Sequence, residues 1–189
     1  MKDIKPAILL FVLFSVICGG IYPALVTGLA HALFPGQANG SLINDKDGRI
    51  IGSSLIGQPF TEPRYLWPRP SATAVFSYNP AASGGSNSGP TNPDYLKIVA
   101  ERVKVLRESG ITGPIPAELV QASASGLDPH LSPAAAKLQV PRIAKARGIP
   151  ETAVQKLINE HTEGPQLGIL GGARVNLLAV NLKLDTLGQ

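Results

Sequence analysis

Charged residues are absent from a long stretch near the N-terminus, and this gap constrains the fold more than any other feature. No Asp, Glu, Lys or Arg occurs between Lys5 and Asp45, and residues 7–31 are mainly Ile, Leu, Val, Phe, Ala and Gly. A helix of that length can cross the hydrocarbon core of a bilayer, which is about 30 Å thick. We therefore predict a transmembrane helix over residues 7–31, between a short segment, 1–6, and a domain, 32–189.

A secretory signal peptide is the alternative interpretation of this stretch. Lys2 and Lys5 provide a basic start, and Ala30-His31-Ala32 has the small-x-small pattern of a cleavage site. The apolar region of a signal peptide is only about 7–15 residues long, so the greater length here favours an uncleaved anchor.

The distribution of basic residues predicts the orientation of this anchor. Lys2 and Lys5 precede the helix, and the next Lys or Arg is Lys46. The positive-inside rule then places residues 1–6 in the cytoplasm and residues 32–189 outside the inner membrane of a bacterial cell, with lipid around a single-pass helix.

Overall charge and cysteine content argue against a nucleic-acid-binding protein and against a domain stabilised by disulfides. The net charge is only +4 and the basic residues are dispersed, so we expect no nucleic-acid partner. The single cysteine, Cys18, lies in the predicted membrane helix. The exported domain therefore has no disulfide and depends on its own core or on a partner for stability.

The pattern after residue 32 predicts a single domain of the α+β class. Asn92 and Pro93 form an N-terminal helix signal, and Pro141 must interrupt a helix because it lacks a backbone donor. The predicted elements are a hairpin over 41–51 that turns at Gly48, helices over 92–110, 133–139, 141–147 and from Pro150, and a mostly buried strand over 174–185.

A long segment rich in Pro, Gly, Ser and Asn covers residues 58–93. Such a segment is either disordered or an ordered binding loop, and its five aromatic residues favour the ordered alternative. We predict that it docks on a protein partner. The residues assigned to this docking are Arg64, Trp67, Arg69, Asn87 and Asn92.

Small residues recur within the predicted membrane helix. Gly20, Ala24 and Gly28 follow one another at four-residue spacing, which allows another helix to approach closely. Pro23 is expected to kink the helix. These features predict a partner helix in the membrane.

Motifs for direct catalysis are weak throughout the chain. Asp128, His130, His161 and Glu163 make a poor metal-ligand pattern, and a serine hydrolase would need a nucleophile elbow that the sequence lacks. No phosphate-binding P-loop pattern occurs. We predict no catalytic residue and no metal, with a membrane-anchored hydrolase or a binding module as the alternative.

Several strings, in a shared order along the chain, resemble the family of C subunits of the bacterial Kdp potassium-transporting ATPase. They include SGGSNSGPTNP at 83–93 and ASASGLDPH at 122–130. The other matching pieces are residues 22–23, 26–27, 37–41, 52–58, 69–72, 132–135, 139, 146–148, 161–164 and 174–176. Local departures occur at Leu66, Pro165 and Gly172-Ala173.

This resemblance implies a non-catalytic accessory subunit of a potassium uptake complex. The implied partners are a channel-like potassium-translocating subunit, a P-type ATPase subunit that hydrolyses ATP, and a small single-helix subunit. The family is described as a catalytic chaperone that raises the ATP affinity of the ATPase subunit, and the resemblance links Ser125, Gly126 and Gln139 to nucleotide. A domain outside the membrane cannot touch cytoplasmic ATP, so we expect an allosteric effect, with potassium handled by the complex.

Overall fold

A computed structural model describes residues 3–187, which belong to two compact units, with the boundary in the chain between Ser53 and Ser54. The first unit begins with one long helix, Ile4–Leu33, which is long and apolar enough to cross a membrane. None of its apolar span is buried inside the protein, unlike the core helix of a soluble domain. The helix predicted over residues 7–31 is therefore present and slightly longer.

The long helix adapts to Pro23 without breaking. It consists of α1 (Ile4–Val16), a π-helical turn (Ile17–Ile21) and α2 (Tyr22–Leu33). In the π-turn the Tyr22 N–H donates to the carbonyl of Ile17, five residues earlier. Such a turn accommodates local disruption of the α-helical hydrogen-bond pattern, such as that imposed by a proline.

The predicted hairpin is confirmed in the rest of the first unit. After α3 (Pro35–Ala38), strands β1 (Leu42–Asn44) and β2 (Ile50–Ser53) pair in antiparallel orientation. Gly48 has a φ of 79°, a value that favours glycine. The Asp45 carboxylate accepts hydrogen bonds from the N–H groups of Asp47 and Arg49, which closes the turn.

The second unit has a core of four helices and a small sheet. The three-stranded antiparallel sheet has the order β3 (His130–Leu131), β5 (Arg174–Asn176), β4 (Thr162–Glu163). The helices that supply most of the core are α5 (Pro133–Lys137), α6 (Val140–Arg147), α7 (Glu151–Glu160) and α8 (Leu177–Leu184). The mixture of helices and strands agrees with the predicted α+β class.

Helix signals read from the sequence also hold in this unit. Helix α4 (Pro93–Glu108) begins after Asn92, whose side-chain oxygen accepts from the N–H groups of Asp94 and Tyr95. Helices α5 and α6 are separate, as Pro141 predicted, and Gly148 ends α6 with a φ of 66°.

The strand predicted over residues 174–185 is wrong beyond Asn176. The chain turns there into α8, because the Asn176 side chain accepts a hydrogen bond from the Ala179 N–H and caps the helix. Helix α8 buries residues on several sides, including Leu177, Leu178 and Val180. A helix buried in this way gives a continuous apolar run, which periodicity alone cannot distinguish from a buried strand.

Residues 54–92, all of which the structure describes, form a segment without α-helix or β-strand, apart from a 3₁₀ turn at Pro80–Ala82. We call it the irregular segment. It is held to the rest of the second unit by Gln139, which directly precedes α6, by side chains of α6 and α8, and by the loop before β3. These contacts position the site described next.

Candidate functional site

A groove of about 510 Å³ lies in the second unit between the irregular segment and α4. Proline and aromatic side chains dominate one wall, and a face of α4 forms the other. The lining residues are Pro59, Phe60, Thr61, Trp67, Pro68, Arg69, Pro70, Ser71, Ser77 and Tyr78 on the first wall, with Ile98, Glu101, Arg102, Val105, Leu106 and Leu119 opposite.

The two arginines that line the groove already have partners within the protein. Arg69 Nη1 lies 2.6 Å from Asp128 Oδ2, and Arg102 Nη1 donates to the Val120 carbonyl at 2.8 Å. Burial lowers the pKa of Arg102, and Glu101 adds negative charge to the same wall. The lining therefore lacks the concentrated free positive charge that phosphate binding uses.

Trp67 owes its place on the groove wall to two side-chain amides. Gln139 Oε1 accepts from the Trp67 N–H at 2.8 Å, and Gln139 Nε2 donates to the Trp67 carbonyl at 3.1 Å. Asn181 in α8 makes the same pair of bonds to Leu66, at 2.8 and 3.0 Å. We call Gln139 and Asn181 the amide clamp. Gln139 has no exposed surface and Asn181 is only 1% exposed.

Arg142 in α6 completes the support of Trp67. Its Cζ lies 3.8 Å from the centroid of the Trp67 ring, and its Nη2 donates to Gln139 Oε1 at 2.6 Å. Its Nη1 donates to the carbonyls of Pro63 and Tyr65. Burial lowers the pKa of the Arg142 guanidinium to about 10. One buried side chain thus contacts the ring, the clamp and the preceding backbone.

The structure brings together only some of the residues predicted to dock a partner. Trp67 and Arg69 share the groove wall, whereas Arg64 lies outside the lining and pairs with Glu62 at 2.9 Å. Asn87 is exposed in the irregular segment, with a φ of 49°. The Asn92 side chain caps α4, as described above.

Ser125 and Gly126 pack against a different part of the irregular segment from Gln139. The Gly84 N–H donates to the Ser125 carbonyl at 2.9 Å, and Ser71 Oγ donates to the Gly126 carbonyl at 2.8 Å. Gly126 has a φ of 67°, and a Cβ there would lie 2.6 Å from Thr73 Cγ2. All three residues linked by resemblance to nucleotide therefore hold the irregular segment in place.

The acidic and histidine residues considered for metal binding already have partners within the protein. Asp128 pairs with Arg69 and accepts from the His130 N–H, while Glu163 pairs with Arg174 at 2.8 Å. His161 Nδ1 lies 2.9 Å from the Leu157 carbonyl. Within residues 3–187, no three His, Cys, Asp or Glu side chains are grouped closely enough to hold a metal ion.

In the long helix, Gly20 and Ala24 line one shallow apolar notch together with Phe11 and Val16. A Cβ at Gly20 or at Gly28 would meet nothing within 4 Å among the described atoms. The small residues therefore project little from the surface of the helix.

Sequence reasoning missed both Asn181 and Arg142, and also an apolar loop between β4 and β5. In this loop Leu167 is 89% exposed, Ile169 82% and Leu170 55%. The signal for the loop was present, because residues 164–173 contain no charged side chain and yet include three large aliphatic residues. For the clamp no local signal exists, since its partners are distant in sequence.

Fold and site together define a class of protein: an α+β domain with a groove lined by proline and aromatic side chains, on a chain whose first helix is long and apolar enough to cross a membrane. The family model described as the K+-transporting ATPase, c chain, matches residues 4–186. The chain belongs to this family, the KdpC family, which confirms the resemblance found in its sequence.

Curated relatives match over nearly the whole chain. A potassium-transporting ATPase KdpC subunit from Trichlorobacter lovleyi is 81% identical over 187 residues, which cover 99% of both chains. The subunit of the same name from Geobacter sulfurreducens is 65% identical over 187 residues, again 99% of both. That from Methylococcus capsulatus is 55% identical over 189 residues, with 99% coverage of both.

Proposed function

We propose that this chain is a non-catalytic accessory subunit of an ATP-driven, high-affinity potassium uptake complex, which it helps to assemble and stabilise. The observation that carries this proposal is the family match over residues 4–186, together with relatives named as subunits of a potassium-transporting ATPase. ATP hydrolysis belongs in this proposal to a P-type ATPase subunit, and potassium passes through a channel-like subunit.

The long helix supports a place in the inner membrane. We propose that Ile4–Leu33 crosses it once, with the N-terminus in the cytoplasm and the second unit outside. The small size and four-residue spacing of Gly20, Ala24 and Gly28 suit close approach of a helix from another subunit, such as the small single-helix subunit.

The groove supports a protein partner for the second unit. Its prolines, aromatic rings and internally partnered arginines suit an uncharged, largely apolar segment of the channel-like or the ATPase subunit. Because the residues linked to nucleotide are occupied in holding the irregular segment, we propose that the chain raises ATP affinity through the conformation of its partners.

Deletion of the chain tests the proposed function. Cells that express the other subunits without it are expected to lose growth at micromolar potassium, and the wild-type chain is expected to co-purify with the ATPase subunit. Full potassium-stimulated ATPase activity of a complex purified without the chain would contradict the proposal.

The orientation is tested separately by a single cysteine. Ser86 is exposed, so we would introduce Ser86→Cys in a Cys18→Ser background and label intact cells with a membrane-impermeant thiol reagent. Labelling without permeabilisation of the inner membrane is expected. Labelling only after permeabilisation would place the second unit in the cytoplasm and would make direct contact with ATP feasible.

A further inference from the structure

Leu66 and Trp67 lie in a segment that has no strand beside it. Even so, the backbone N–H and the backbone carbonyl of both residues are hydrogen-bonded. A side-chain amide carries one carbonyl and one NH₂ group, and it can therefore replace a neighbouring peptide group as donor and acceptor. Gln139 and Asn181 do so for two consecutive residues. Together they perform the task of a neighbouring strand.

The geometry of the clamp fixes the segment more strictly than apolar packing would. Buried amides without partners are costly, so the clamp is satisfied only when Leu66 and Trp67 occupy these places. A shift by one residue would exchange the side chains that face the core and the groove. Depending on its direction, the shift would move Trp67 into the fully buried place of Leu66 or move Leu66 into the place of Trp67 in the groove.

The contacts of Arg142 extend this restraint from the backbone of Trp67 to its ring. The guanidinium is stacked on the ring and is bonded to Gln139 Oε1, so the orientation of the ring depends on the same glutamine that holds the backbone. Displacement of Gln139 would therefore release two restraints on Trp67.

We propose that Gln139 and Asn181 are positioning residues, which act as a substitute strand and fix Trp67 in the wall of the groove. This proposal rests on the proposed function. On this proposal, Gln139 affects ATP affinity by fixing the position of Trp67. Asn181 is expected to have the same effect for the same reason.

Trp67 is the only tryptophan in the chain, so its fluorescence reports on the clamp directly. Gln139→Glu keeps the size of the side chain and its contact with Arg142, but it places a carboxylate oxygen against the Trp67 carbonyl. In the full-length chain in detergent, we expect a red shift of Trp67 emission and stronger quenching by acrylamide. Asn181→Asp should produce the same changes.

The second measurement uses the complete transport complex. Both variants are expected to raise KM for ATP about fivefold with little change in kcat, the fold-change that corresponds to one lost hydrogen bond of about 1 kcal/mol. Gln121→Glu, at an exposed glutamine, is the matched control and should change neither Trp67 emission nor KM. Thermal unfolding of each variant separates loss of positioning from loss of fold.

Two outcomes would overturn the proposal. If Gln139→Glu raises KM while Trp67 emission and the KM of Asn181→Asp stay at wild-type values, Gln139 contacts nucleotide itself. If both variants change Trp67 emission but KM is unaffected, the clamp serves stability alone. Failure of the proposed function is distinct, because the wild-type chain would then not co-purify with the ATPase subunit.

Discussion

Gly126 and Gly148 have nearly the same backbone conformation in very different surroundings, and this pair allows a quantitative test of how the irregular segment is held. Their φ values are 67° and 66°. A Cβ at Gly148 would meet nothing within 4 Å, whereas one at Gly126 would lie 2.6 Å from Thr73 Cγ2 and 2.7 Å from the Gly84 carbonyl oxygen. Alanine therefore has the same cost of the left-handed backbone conformation at both positions, but it clashes with neighbouring atoms only at Gly126.

The expected losses of unfolding free energy follow from the conformational cost and from the clash. The left-handed conformation costs an alanine roughly 1–2 kcal/mol at either position. At Gly126 the added methyl group also pushes against backbone, and overpacking of this kind costs about 1–3 kcal/mol more. The smaller unfolded-state entropy of alanine offsets part of the loss by the same amount in both variants, so it cancels from the difference.

Urea unfolding of the full-length chain in detergent, followed by Trp67 fluorescence, measures both losses. We expect Gly126→Ala to lower the free energy of unfolding by about 1–3 kcal/mol more than Gly148→Ala does. Equal losses in the two variants would show that the loop around Gly126 is not packed against Thr73 and Gly84. That result would refute the close packing described for Gly126.

Two further predictions concern the same unit. The buried Tyr78 hydroxyl donates to the Arg69 carbonyl, and burial raises the pKa of Tyr78 above its usual value near 10. The unfolded chain therefore loses this proton at a lower pH than the folded protein does. The free energy of unfolding should then fall as pH rises above about 10. Tyr78→Phe should remove part of that fall and should cost about 1 kcal/mol of stability at neutral pH. Unfolding curves at several pH values measure both effects. An unchanged pH dependence in this variant would show that Tyr78 is not the group responsible. Asn92→Ala should destabilise the protein by about 1 kcal/mol because the cap on α4 is lost. Asn92→Asp retains a capping oxygen and should have a stability close to that of the wild type in the same assay. Equal effects of the two changes would argue against capping.

Local features of the sequence determined several elements by themselves. The uncharged stretch after Lys5 predicted the long helix, and Gly48 and Asn92 predicted a turn and a helix start, because each signal acts within a few residues of the structure that it specifies. The break between α5 and α6 followed from Pro141 for the same reason.

Only the tertiary structure decided the nature of residues 177–184 and the site. Helix α8 is buried on several sides, and its sequence therefore lacks the polar face that would have distinguished it from a strand. Gln139 is 72 positions from Trp67, and Asn181 is 115 positions from Leu66. Hydrogen bonds over such separations depend on how the whole second unit packs, and no local pattern encodes them.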